Sequence, residues 1–275
     1  MDRLRGTHEE RQTNATNPSQ NEPPIQRSVT LGTVLRIYDA RTAESVVAAP
    51  ARRALTRVEA HAPVFGTTAL RVLLVADVLA RALEIGGTPV WAVLAGEEQV
   101  PELRAGAAAL GIRPFEDRRD VGPEFAEAQL IHVVSRGDGA TDGIRLDVAP
   151  VDSTDSAGAH GDVDPATLRL ALLTHPRSEP VHLTPAALAD AGSTLAHWRR
   201  SVAVWAGQPS RPVPEEVRQE LRAAWEDDLD LPAVLDVLRR VETLDGMPDG
   251  ARFETYAYAD RILGLELTRE IGSST

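Results

Sequence analysis

The chain has 275 residues, 43% of them hydrophobic, and a formal net charge of −12. It contains no Cys, which excludes disulfides, thiol nucleophiles and thiolate metal ligands. All 29 basic residues are Arg, which removes any Schiff-base Lys and any phosphate-binding Lys.

Residues 1–28 are polar and carry almost no large apolar side chains, so they read as a disordered leader. No stretch reaches the roughly 18 apolar residues that span a bilayer. The first residues also lack the apolar centre of a signal peptide. The expectation is a soluble, cytoplasmic protein with no membrane partner.

Residues 29–135 read as an α/β domain. Val34–Tyr38 and Leu55–Ala60 are short strands. Leu70–Ile85 is a helix buried on most sides, ended by Gly86 and Gly87. Asp77 and Arg81, four apart on its one narrow polar face, suit a surface ion pair. Val90–Leu94 is a continuous apolar run, as in a buried parallel strand, and completes a strand–helix–strand unit. Leu103–Leu110 gives another helix and Gln129–Val134 another strand. Residues 136–163, rich in Gly, Asp and Ser, read as a flexible loop.

Residues 164–275 read as helical. Asp164 and Thr184 are N-caps, each followed by Pro at the first helical position, and they open a hairpin of two helices joined by a Pro-marked turn. Helices follow at 214–225, 232–241 and 253–263. Between Glu215 and Asp245 lie ten acidic residues and four Arg, a net charge of −6. That surface repels phosphate backbones, so tRNA binding is not expected. Asp227, Asp228 and Asp230 fit the start of a helix, where acids favour the dipole.

Three phrases carry a resemblance. The first is Asp164-Pro165-Ala166-Thr167-Leu168-Arg169-Leu170-Ala171-Leu172-Leu173, continued by His175-Pro176-Arg177-Ser178 and Leu195-Ala196-His197-Trp198-Arg199. The second runs from Asp227 to Leu235, and the third is Tyr258-Ala259-Asp260-Arg261-Ile262-Leu263-Gly264-Leu265. In this order they resemble class I cysteinyl-tRNA synthetases, and within that group the mycothiol-pathway ligase that joins cysteine to glucosaminyl-inositol. The resemblance implies a reduced Rossmann-like parallel-sheet domain followed by an α-helical C-terminal domain.

It also implies chemistry that this chain does not carry. The family's HxGH motif falls at Gly66-Thr67-Thr68-Ala69, without either His. The half-domain ending in the KMSKS loop is replaced by the Gly/Asp-rich stretch. The first Cys of the family's zinc site falls at Glu59, with His61 nearby. No catalytic residue is therefore expected. Gly66, Thr67 and Thr68 at the HxGH-equivalent turn, and His175 and Arg177 at the cleft rim, are the candidate ligand-binding positions. Glu59 and His61 are remote metal candidates. The function expected is that of a ligase-like paralogue without aminoacyl-adenylate activity, acting as a binding or accessory protein with no cofactor. A protein partner or a second copy would cover the truncated α/β face. The alternative is an ATP-dependent cysteine or other amino-acid ligase with altered groups, Arg145 standing for the missing Lys, and only there do ATP and zinc belong.

Overall fold

A computed structural model describes residues 34–51, 54–95, 99–117, 129–137, 142–153 and 163–272. The leader and parts of the Gly/Asp-rich stretch lie outside the described residues. The fold begins with an antiparallel hairpin, β1 (Arg36–Asp39) with β2 (Glu44–Val47). The central strand β3 (Thr56–His61) leads into helix α1 (Thr67–Ile85). Gly87, at φ +83, turns the chain back into β4 (Val90–Ala95), a backbone state that costs a glycine little. Helix α2 (Val100–Ala109) and the short β5 (Glu116–Asp117) follow, then β6 (Gln129–Ser135) and β7 (Ile144–Val148).

These strands form one sheet in the order β5-β4-β3-β6-β7, parallel throughout. The chain moves outward from β3 to β4 and β5, then returns to build β6 and β7 on the other side of β3. The strand order thus reverses between β3 and β6. In open parallel sheets, that switch point at the carboxyl ends of the strands is where ligands enter.

Residues 136–163 were expected to be a flexible loop, yet they contain β7 and a further strand, β8 (Val151–Ser153). The physical reason lies in Ile144-Arg145-Leu146-Asp147-Val148. Its alternation buries Leu146 and Val148 in the core beside β6. The expected helical hairpin is also interrupted. Between α3 (Pro165–Leu173) and α4 (Pro185–Trp205) runs β9 (Val181–Leu183), which pairs in parallel with β8. The N-caps are as expected: Asp164 accepts from Ala166 N and Thr184 from Ala187 N.

Helices α5 (Glu215–Glu226), α6 (Leu231–Glu242) and α7 (Asp249–Leu263) complete the chain. Trp198 and Trp205 of α4 meet Tyr256 of α7 edge-on, with ring centroids 5.7 and 5.1 Å apart. Asp230 caps α6 by accepting from Ala233 N. That agrees with a helix-start role for the acidic phrase. Residues 33–275 cluster as one unit, so the change at residue 164 marks a change of secondary structure, not a gap in packing.

The joint is polar. Asp77 of α1 was expected at the surface, paired with Arg81, but it is buried. Its carboxylate receives Arg81 Nε at 2.9 Å, Arg113 Nε at 2.8 Å and Arg169 Nη2 at 3.2 Å. Burial alone would raise the Asp77 pKa, but Arg81, Arg169 and Arg113 together hold it below the usual carboxylate range. Arg169, fully buried in α3, also donates to Leu263 O at 2.6 Å and Leu110 O at 3.0 Å. One guanidinium thereby joins α1, α3, the end of α2 and the end of α7. Helix spacing shows a partner at four residues but not partners from 36 and 92 residues away, which is why the sequence reads this pair as surface.

Candidate functional site: a His–His–carboxylate cluster at the switch point

The central strand reads Thr56-Arg57-Val58-Glu59-Ala60-His61. Side chains alternate along a strand, so Arg57, Glu59 and His61 share one face while Val58 and Ala60 enter the core on the other. A strand in the middle of a parallel sheet is normally apolar on both faces. Three ionisable residues on one face of β3 are therefore out of place unless they serve a site.

The neighbouring strand completes the group. Glu59 and His132 are register partners across β3 and β6. His61 Nε2 lies 2.9 Å from His132 Nδ1. Glu59 Oε2 lies 3.5 Å from His132 Nδ1 and 3.8 Å from His61 Nε2. Among the described residues, these three form the one group of His and acidic side chains whose donor atoms all lie within 4.8 Å of one another. Glu59 is 1% exposed and His132 4%. Arg57 Nε stands 3.0 Å from Glu59 Oε1. Glu59 Oε2 has no hydrogen-bond donor although it is buried. An acceptor left in that state costs about 1–3 kcal/mol. The far side of His132 is held as well: its Nε2 lies 3.2 Å from Asp142 Oδ1, on the connection from β6 to β7.

Sequence reasoning paired Glu59 with His61 but missed His132, because Gln129–Val134 read simply as an apolar strand. The signal that could have found it is topological. Once β3 and β6 are placed side by side, Glu59 of β3 and His132, the lone ionisable residue of β6, fall in register.

The other expected positions behave differently. Gly66 is the N-cap residue of α1, and Thr67 and Thr68 begin its first turn. The Thr68 hydroxyl accepts from Val151 N, which ties α1 to β8. Val64 and Phe65, just ahead of this turn, are exposed at 59% and 42%. Arg177, expected to receive an anion at the cleft rim, is buried. It donates to Asp147 O at 2.7 Å and Tyr38 O at 3.4 Å, and it pairs with Asp228. His175 Nδ1 lies 3.0 Å from the hydroxyl of Thr174. Thus Arg177 ties β1, β7 and the α5–α6 link together, and its guanidinium already has three acceptors.

No helix among the described residues is long and apolar enough to cross a membrane.

No family model matches the chain. Curated proteins do match part of it. It is 38% identical over 109 residues to an L-cysteine:1D-myo-inositol 2-amino-2-deoxy-alpha-D-glucopyranoside ligase of Streptomyces griseus subsp. griseus, covering 38% of this chain and 26% of the relative. It is likewise 38% identical over 110 residues to the ligase of that name from Streptosporangium roseum, with the same coverage. With that of a Parafrankia strain it shares 44% identity over 72 residues, 26% of this chain and 15% of the relative. The match to the first two spans about a quarter of the length of the curated relatives. Over that part, the chain is similar to the mycothiol-pathway cysteine ligases, a class I cysteinyl-tRNA synthetase-like family.

Proposed function

We propose that this chain is a ligase-like paralogue that forms no aminoacyl adenylate and acts in the cytoplasm as a binding or accessory protein. Adenylate formation needs fixed cations around the transferring phosphoryl charge. The chain has no Lys, so Arg would have to supply them.

The observation that carries the proposal is that the arginines around β7, β8 and the end of α3 already have internal acceptors. Arg71 is 1% exposed. It donates to Ala149 O at 2.8 Å, Glu179 O at 2.7 Å and Pro176 O at 2.7 Å. Burial, reinforced by the Arg136 charge, draws its pKa down to about 10. Arg136 itself donates to Ser178 O. Arg145 Nε donates to Asp147 Oδ1 at 2.8 Å, and Arg177 is held as described. Moving Arg71 or Arg177 to a phosphate would leave buried or part-buried carbonyls without donors, a cost of about 1–3 kcal/mol for each buried group.

The partner of such a protein belongs on the α/β half, either as another protein or as a second copy. A recess of about 470 Å³ lined by Leu73, Leu94, Leu103, Ile112 and Phe115 lies at the β5 edge, which supports that placement. The deciding experiment is amino-acid-dependent ATP–pyrophosphate exchange with the purified chain, using cysteine first and then other amino acids. The expected result is no exchange above the background without amino acid. Sustained exchange with any amino acid would overturn the proposal and favour a ligase with altered catalytic groups.

A further inference from the structure

The geometry points to a divalent transition-metal site of the zinc class, held by Glu59 Oε2, His61 Nε2 and His132 Nδ1. The inference goes beyond the non-adenylating reading and does not depend on it.

Four observations converge. The first is spacing. Zinc bonds to imidazole nitrogen and carboxylate oxygen are about 2.0–2.2 Å, so two donors of one tetrahedral ion sit roughly 3.4 Å apart. The three separations here, 2.9, 3.5 and 3.8 Å, bracket that value. The second is the unmet oxygen. Glu59 Oε2 is buried, lacks a donor and faces both imidazoles, while the other carboxylate oxygen is matched by Arg57. A cation is the partner that would satisfy it without adding bulk. The third is the far nitrogen of His132, which faces the Asp142 carboxylate. A carboxylate behind an imidazole fixes its tautomer and orientation so that the other nitrogen presents its lone pair. The fourth is position. The group stands at the carboxyl end of the central strand, where strand order reverses.

The donor chemistry narrows the cation. Two imidazoles and one carboxylate suit zinc and its neighbours in the first transition row, whereas calcium and magnesium favour all-oxygen sites. Three protein donors leave a fourth position open, as in zinc sites that take water or a substrate atom. His61 is the approachable member, its side chain 23% exposed. The donors come from two adjacent strands and include no thiolate. Glu59 stands where the resemblance puts the first Cys of the family's zinc site, but the other two donors, His61 and His132, are this chain's own.

The test uses the full chain, free of any affinity tag, stripped with a chelator and dialysed. Zinc is titrated against a chromophoric competitor, and cobalt in a parallel titration monitored by its visible absorption. The expected result is one equivalent per chain, with a cobalt spectrum of tetrahedral intensity and a rise in unfolding temperature on adding zinc. Glu59→Gln and His61→Ala abolish the binding. Asp142→Asn weakens it roughly 10-fold or more, as removal of an orienting carboxylate does. His182→Ala, at an exposed His, leaves it unchanged. His61→Ala carries the test if His132→Ala fails to fold, since His61 is only partly covered. Failure of the stripped wild-type chain to take up zinc overturns the inference, and so does binding that survives both Glu59→Gln and His61→Ala. Adenylate chemistry is read by pyrophosphate exchange and metal binding by titration, so either proposal can fail alone.

Discussion

Among the buried carboxylates of the described residues, Asp77 and Glu59 are treated in opposite ways. Asp77 is surrounded by three guanidiniums at 2.8–3.2 Å, which are permanently charged. Every donor comes from a different turn or element, and the carboxylate is held ionised. Glu59 has one guanidinium, on one oxygen, and two imidazoles facing the other without donating to it. The first arrangement fixes four elements in place. The second leaves binding capacity unfilled at the mouth of a sheet. The contrast separates a carboxylate that holds the fold from one kept at a cost to the fold, and the latter marks the candidate site.

The largest expected effect breaks the first side of the contrast. Asp77→Asn leaves three clustered guanidiniums without their counter-charge and should cost about 3–5 kcal/mol of unfolding free energy, measured by urea denaturation. A loss below about 1 kcal/mol would mean that the arginines turn outward and the joint is not held there.

The same group sets a pH signature. The folded Asp77 pKa lies below its unfolded value, so its contribution is complete above the ordinary Asp range and is lost as pH falls toward the folded value. Asp260 shifts the other way: burial raises its pKa, although the amides of Leu265 and Leu267 oppose that. Its contribution is therefore greatest at acid pH and disappears as pH rises through the folded value. Stability measured against pH should fall on the acid side in the wild type. It should fall less steeply in Asp77→Asn, and an identical acid limb in both proteins would contradict the assignment.

A smaller effect sharpens the same joint from the backbone side. Gly264 ends α7 at φ +60, and a Cβ added there would stand 2.7 Å from Arg169 Nη2. Gly264→Ala should cost more than about 1 kcal/mol, because the left-handed backbone and the guanidinium both resist the methyl group. The smallest effect is a control. Glu215 hydrogen-bonds Arg218 and Gln219 at the helix surface. Glu215→Gln should leave the unfolding midpoint where it is.

How much of this was legible in the sequence differs between the two regions. The strand–helix–strand unit, the Pro-marked helix starts and the order of the helices follow from periodicity and capping, which are local. Strands β7 and β8 did not, because Gly, Asp and Ser around them outweigh the short alternation of Ile144–Val148. Asp77 was visible as an ionisable residue on a helix face, but its partners arrive from α2, α3 and their flanks. Glu59 and His61 could be noticed as a pair two residues apart. His132 needed the pairing of β3 with β6, and that register is set by packing at long range. The arginines Arg71 and Arg177 look alike in sequence and suit an anion equally well. Only their acceptors, backbone carbonyls for both and also the Asp228 carboxylate for Arg177, show that they hold the fold.

The contrast itself is tested most directly by comparing the unfolding free energies of Asp77→Asn and Glu59→Gln, both in metal-free protein at neutral pH. Gln at position 59 keeps an oxygen for Arg57 and places an amide donor near the imidazoles. Glu59→Gln should thus match or exceed the wild type in stability, while Asp77→Asn falls far below it. Comparable losses in the two variants would contradict the contrast, because Glu59 would then be a second lock in the fold and not the open side of a site.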